Sequence, residues 1–134
     1  MTSRILVIDD EEGVRDAFVL ALHGEPDLTV ETAENGAAGH AAARRARPDL
    51  VFLDLNMPGM TGIETMHEML AEDPTLSIYI VTAFHQEFMQ DLKAARRRGL
   101  TFELARKPLG AEQIRAIVHA LLQDTDTADT EVEQ

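Results

Sequence analysis

The chain has 134 residues, 45% hydrophobic and 27% charged, with a net charge of −12 and no cysteine. Such a length fits one domain with one core, and the composition argues against a disordered chain, a disulfide-stapled secreted module or a thiolate metal site. Five acids, Asp124, Asp126, Asp129, Glu131 and Glu133, stand without a base at the end of the chain, and residues 1–123 still carry about −7, a field that repels nucleic acid phosphates.

The first apolar run, Ile5-Leu6-Val7-Ile8, is too short for a signal peptide or a membrane span. A cytoplasmic setting without membrane contact is therefore expected. Its β-branched content predicts a strand buried on both faces, which delivers Asp9, Asp10 and Glu11 at its carboxyl end. Val14, Ala17, Phe18, Ala21 and Leu22 recur at helical spacing until Gly24 and Pro26 stop them. Leu28 to Ala33 alternates polar and apolar residues, as a strand nearer a sheet edge does, and Asn35-Gly36 breaks the chain. Residues 37–46 are alanine-rich, and Ala37, Ala38, Ala41 and Ala42 offer a shallow helical face to a sheet.

Leu50 to Leu53 is another buried strand, ending on Asp54 and turned at once by Pro58 and Gly59. Thr61 and Glu64 have the spacing of a capping box, and Ile63, Met66 and Leu70 mark the stripe of the helix it opens. Ser77 to Thr82 reads as a fourth strand, with Ala83 just beyond. A helix from about Gln86 to Arg98 follows, with Phe88, Leu92 and Ala95 inward and Gly99 as its cap. Phe102 to Arg106 is a short fifth strand leading into Lys107-Pro108, and Ile114, Ile117, Val118, Leu121 and Leu122 form a last amphipathic helix. The basic groups Arg44, Arg45, Arg47 and Arg96, Arg97, Arg98 read as solvated helix ends favoured by the macrodipole. The five histidines show no metal-ligand spacing and read as surface residues. After Gln123 the hydrophobic pattern vanishes, so residues 1–123 are expected to form the domain and 124–134 a disordered acidic tail or linker.

Strands alternating with helices predict an α/β fold: a five-stranded parallel sheet, doubly wound, with right-handed crossovers. Ligands of such sheets bind beyond the carboxyl ends of the strands, where this reading puts Asp9, Asp10, Asp54, Thr82 and Lys107. Each close carboxylate pair is unfavourable by roughly 4 kcal/mol at an effective dielectric of about 20, so the site must hold protons or a cation. Oxygen donors alone suit a hard ion such as Mg2+ together with phosphate oxygens. In such a site a carboxylate serves as nucleophile toward phosphorus while the cation, Lys107 and the Thr82 hydroxyl neutralise the transferring oxygens.

With these residues in view, the chain resembles the receiver domain of bacterial two-component response regulators over about residues 3–123. The likeness rests on Ile5 to Glu11, Asp54 after Val51-Phe52-Leu53, Met57-Pro58-Gly59-Met60-Thr61-Gly62, Thr82-Ala83 and Lys107-Pro108. It implies the flavodoxin-like receiver fold, with Asp54 as phosphoacceptor. It also implies a magnesium site made by the Asp10 and Asp54 side chains and the Asn56 backbone carbonyl, with Asp9 acting through water. Thr82, the Ala83 backbone and Lys107 would meet the phosphoryl oxygens, and the bond before Pro108 would be cis. The implied partners are a histidine kinase or phosphotransfer protein and a downstream protein or fused output domain, and the only catalysis is self-phosphorylation and its reversal. The family's switch pairs the threonine with an aromatic residue three before the lysine; here that position is Leu104, which has neither ring nor hydroxyl. Helix four, with Phe84 or Phe102, is then expected to carry the signal. Two other readings stand beside this one: a phosphorylation-independent interaction module, and a haloacid dehalogenase-type phosphatase, which looks for a second acid where this chain has Asn56.

Overall fold

Every residue of Ile5-Leu6-Val7-Ile8 is buried because the strand that carries them has helices packed on both faces. The computed structural model describes residues 2–83 and 85–133, and the side chains of 2–83 and 86–122. Its elements run β1 (Ser3–Ile8), α1 (Glu12–Leu22), β2 (Leu28–Ala33), α2 (Gly36–Arg45), β3 (Leu50–Leu53), α3 (Gly62–Glu72), β4 (Ile78–Thr82), a 3-10 turn (His85–Phe88), α4 (Met89–Arg97), β5 (Glu103–Arg106) and α5 (Ala111–Glu133). The strands form one parallel sheet in the order β2-β1-β3-β4-β5, the doubly wound arrangement expected. The expectation of a disordered tail over 124–134 lies outside the residues whose side chains are described. Among the described residues no helix is long and apolar enough to cross a membrane.

Alternation along each strand divides the core in two. Ile5 and Val7 of β1 join Leu50 and Phe52 of β3 and Val81 of β4 beneath Phe18, Ala21 and Leu22 of α1 and Ile114 and Val118 of α5. Leu6, Ile8, Val51, Leu53, Ile78 and Ile80 face the other way, toward Ala42, Met66, Met69, Leu70, Leu92 and Ala95 of α2, α3 and α4. A chain of rings, Phe18 to Phe52 at 4.7 Å and Phe52 to Tyr79 at 5.8 Å between centroids, runs from α1 across the sheet. Two helical layers thus clamp β1 and β3, and their carboxyl ends are held by the most buried part of the molecule.

Several local expectations change. The helix opened by Asn35 does not lie on the face of Ala37, Ala38 and Ala41, which are exposed. It turns Gly36, Gly39, His40 and Ala42 inward, because a Cβ at Gly39 would overlap the Ile8 side chain and only glycine admits so close an approach. Asn35 is the N-cap, its side chain accepting the Ala38 N–H at 2.8 Å, so Asn35-Gly36 starts a helix as well as breaking the chain. The predicted start of the fourth helix is a 3-10 turn, and α4 proper begins at Met89.

His40 is no surface residue: it is buried between α2 and α3, with Nε2 2.8 Å from Glu72 and Nδ1 3.6 Å from Glu68. Arg44 also meets Glu72, Arg45 meets Glu31 and Arg47 meets Asp73. Arg44 and Arg45 do end α2, as the macrodipole favours, and Arg47 lies just beyond its C-cap, but all three are paired across elements and not merely solvated. Arg96 of α4 lies over the Phe102 ring at 4.3 Å from its centroid and donates to the Phe102 carbonyl.

Candidate functional site

The sheet order reverses between β1 and β3, and the crevice at that point receives the acids that end these strands. Asp9 is 3% and Asp54 4% exposed; Asp10, one residue further along, is open to solvent. Backbone bonds continue past the strand ends, from Asp9 N–H to the Ala33 carbonyl at 3.1 Å and from Asp54 N–H to the Ile8 carbonyl at 3.0 Å. Both carboxylates are therefore carried on rigid sheet backbone. One oxygen from each of Asp9, Asp10 and Asp54 falls within 4.8 Å of the other two.

Thr82 closes β4 and is fully buried, and its carbonyl accepts the Lys107 N–H at 3.1 Å. That bond brings the first residue after β5 over the crevice. Lys107 Nζ reaches Asp9 Oδ2 at 2.8 Å, Glu11 Oε1 at 3.5 Å and Asp54 Oδ1 at 3.6 Å. The peptide bond from Lys107 to Pro108 is cis. Ala83 and Asn56 are exposed at the rim. Leu104 sits apart: on β5, it pairs with Ile80 of β4 and packs, half-buried, against the core beneath α2, α3 and α4. Phe84 lies outside the described residues.

Burial pushes the Asp54 carboxyl up to about 6, and the neighbouring Asp9 charge adds to the rise; Lys107 and a backbone hydrogen bond from Asn56 offset part of it. Burial alone would draw the Lys107 ammonium down. Its hydrogen bond to Asp9 and the charges of Asp54, Asp9 and Glu11 outweigh that, so the net displacement is upward. The site is thus an oxygen-only cluster of three acids with one cation held at its edge. Such a donor set, free of histidine and cysteine, fits a small hard cation.

Three contributors had no assigned role in the sequence. Arg15, six residues after Asp9 on α1, donates to the Asp9 carbonyl at 2.8 Å. Glu11 gives its N–H to Asp9 Oδ1 at 2.9 Å and turns its carboxylate to Lys107. Gly62 begins α3 directly behind Asp54, donating to the Leu55 carbonyl at 3.0 Å, and a Cβ there would overlap the Asp54 carbonyl and the Leu55 Cα. The capping box predicted for Thr61 and Glu64 is present at the same helix start. Gly62→Ala is accordingly expected to displace the Asp54 segment and destabilise the fold by about 1–3 kcal/mol, measured by urea unfolding, with a fall in any reaction at Asp54.

The family model of the response regulator receiver domain matches residues 5–119. The chain belongs to that family. Its receiver relatives include sporulation initiation phosphotransferase F of Bacillus subtilis, 32% identical over 91% of this chain and 95% of that protein. Protein PilH of Pseudomonas aeruginosa is 34% identical over 90% and 98% respectively. A probable transcriptional regulatory protein, TcrX of Mycobacterium tuberculosis, is 35% identical over 90% of the chain, which spans only 50% of that protein. Against two protein-glutamate methylesterases the receiver match covers a smaller share, 21% and 31% of their lengths. Among solved structures, chemotaxis protein CheY4 of Vibrio cholerae superposes with a TM-score of 0.77 at 26% identity, over 90% of this chain and 99% of that one. TrrA of Thermotoga maritima, crystallised with Mg(2+)-BeF, gives 0.75 at 29% identity, over 90% and 99%. Receiver domains are signalling domains, and this match, together with Asn56 in place of a second acid, speaks against the phosphatase reading.

Proposed function

We propose that the protein is a cytoplasmic, phosphorylatable receiver in which Asp54 takes a phosphoryl group from a histidine kinase, a phosphotransfer protein or a small phosphodonor. The observation that carries the reading is the setting of Asp54: 4% exposed at the end of β3, beside the Asp9 carboxylate and 3.6 Å from the lysine ammonium that also meets Asp9. An Asp54 oxygen bonds to phosphorus while the donor's P–N or P–O bond breaks, and the donor leaves with the bonding electrons. Lys107 neutralises the oxygens that move toward it, and Thr82, at the neighbouring strand end, presents its hydroxyl to them with the Ala83 backbone. Asp10, Asp54 and the Asn56 carbonyl, with Asp9 through water, are the groups that would hold Mg2+. When bound, that ion supplies positive charge against the acids and the incoming phosphoryl oxygens.

The added charge then biases a two-state surface read by a downstream protein or a fused output domain. Direct contact with nucleic acid by this chain is disfavoured by its acidic field. The switch pairs Thr82 with position 104, and a leucine there cannot supply an aromatic swing. The route outward passes instead through α4, tied by Arg96 to Phe102, the residue just before β5. On phosphorylation, amide exchange over residues 84–106 is expected to change, and unaltered exchange there would remove α4 from the route. Asp54 itself is tested by intact mass after incubation with a small phosphodonor and magnesium. A constitutive interaction module would gain nothing, and a phosphatase would turn over free phosphoesters.

A further inference from the structure

Glu11 is the N-cap of α1 and its side chain makes no cap hydrogen bond, a role that the shorter Ser, Thr, Asp and Asn side chains fill, so its carboxylate is left to other partners. Its Oε1 lies instead 3.5 Å from Lys107 Nζ, with 65% of the Glu11 side chain exposed and 13% of the lysine's. The residue is pinned from below, since Asp9 Oδ1 accepts the Glu11 N–H at 2.9 Å while Asp9 Oδ2 meets the same ammonium at 2.8 Å. Asp9, Glu11 and Lys107 therefore close a ring of three interactions. Within it the ammonium stands nearer Asp9 than Asp54, from which it is 3.6 Å away.

We infer that Glu11 is a positioning residue for Lys107: in the unphosphorylated, metal-free protein it holds the ammonium on the α1 side of the crevice, as a competitor of the phosphoryl oxygens at Asp54. This rests on the reading of Asp54 as phosphoacceptor. Two features separate Glu11 from the other acids nearby. Its carboxylate is not engaged in holding its own helix, and it contacts Lys107 from the solvent side, so the contact can open without moving the sheet. When Glu11 is removed Lys107 loses one solvent-side contact and keeps its two buried acidic neighbours, Asp9 at 2.8 Å and Asp54 at 3.6 Å. Ion pairs with an exposed member shift an equilibrium by up to about fivefold, and that sets the size of the effect.

The test compares wild type with Glu11→Ala, which removes the contact, Glu11→Asp, which keeps the charge but shortens its reach, and Glu12→Gln, which removes the next charge along an exposed position of α1. In the metal-free, unphosphorylated proteins the Lys107 Cε and Nζ NMR signals should move in both Glu11 variants and stay put in Glu12→Gln. With a small phosphodonor and magnesium, labelling should quicken about two- to fivefold in Glu11→Ala, less in Glu11→Asp, and not in Glu12→Gln. Unmoved lysine signals, an unchanged labelling rate, or an equal effect in Glu12→Gln would each overturn the role of Glu11 while leaving a labelled wild type intact. A wild type that takes no label at Asp54 would instead overturn the phosphoacceptor reading and this role with it.

Discussion

Incubated with a small phosphodonor and magnesium, the protein should gain the mass of one phosphoryl group, and Asp54→Asn should gain none. The expected difference is all or nothing because the reaction needs an anionic oxygen at the strand end, and the asparagine amide is no nucleophile for phosphorus. The remaining acids do not substitute. Asp9 is engaged on both oxygens, by Lys107 and by the Glu11 N–H, and Asp10 lies in solvent without a lysine beside it among the described residues. Chelation of the metal should abolish labelling of the wild type, since three acids within 4.8 Å of one another would otherwise meet an anionic donor, with Lys107 the one cation paired to the Asp9 and Asp54 carboxylates among the described residues. Lys107→Ala should still label at Asp54, but about 10²-fold more slowly, the size of effect seen when one preorganised charge-stabilising donor is lost. Equal mass gain in wild type and Asp54→Asn would dismiss Asp54.

The residues that could be placed from the chain alone were those whose position follows from backbone periodicity. An apolar run buried on both faces ends at a sheet edge, so Asp9, Asp54, Thr82 and Lys107 could be set at one rim without any knowledge of contacts. The capping box at Thr61 was equally readable, because its two hydrogen bonds are local. What escaped depended on facing elements. His40 joins α2 to α3 through Glu68 and Glu72, and no spacing within α2 betrays partners on another helix. The inward face of α2 was misjudged because alanine looked like the shallow side, whereas Gly36 and Gly39 allow a still closer approach. Glu11 and Arg15 were visible as charges, but their targets, Lys107 and the Asp9 carbonyl, appear only once β5 and α1 are folded against the same strand end.

In metal-free buffer near pH 7.5, Asp54→Asn should be more stable than the wild type, by on the order of 1–3 kcal/mol, or about 3–5 °C in Tm per kcal/mol. The sign follows from Asp54, whose carboxyl rises from 3.8 in the open chain to about 6 when burial and Asp9 act on it. A raised carboxylate pKa means that the native state holds the proton more tightly than the unfolded state does. Stability from this group is therefore greatest below about pH 4 and declines as pH climbs through about 6, after which the full penalty of the buried charge is present. The displacement corresponds to about 3 kcal/mol at most. Lys107 works against the substitution, since it loses one of its three acidic neighbours, but its 2.8 Å contact to Asp9 survives, so the loss is the smaller effect. Urea unfolding of both proteins at several pH values reads Asp54 together with its coupled neighbours Asp9 and Lys107, because carboxylates away from the site contribute alike to each. The difference should shrink as pH falls from 7.5 to 4. Magnesium should reverse it, because an ion held by Asp54 stabilises the native wild type by mass action and favours the variant far less. A metal-free Asp54→Asn protein less stable than the wild type at pH 7.5 would show that the carboxylate is better compensated than its burial beside Asp9 implies.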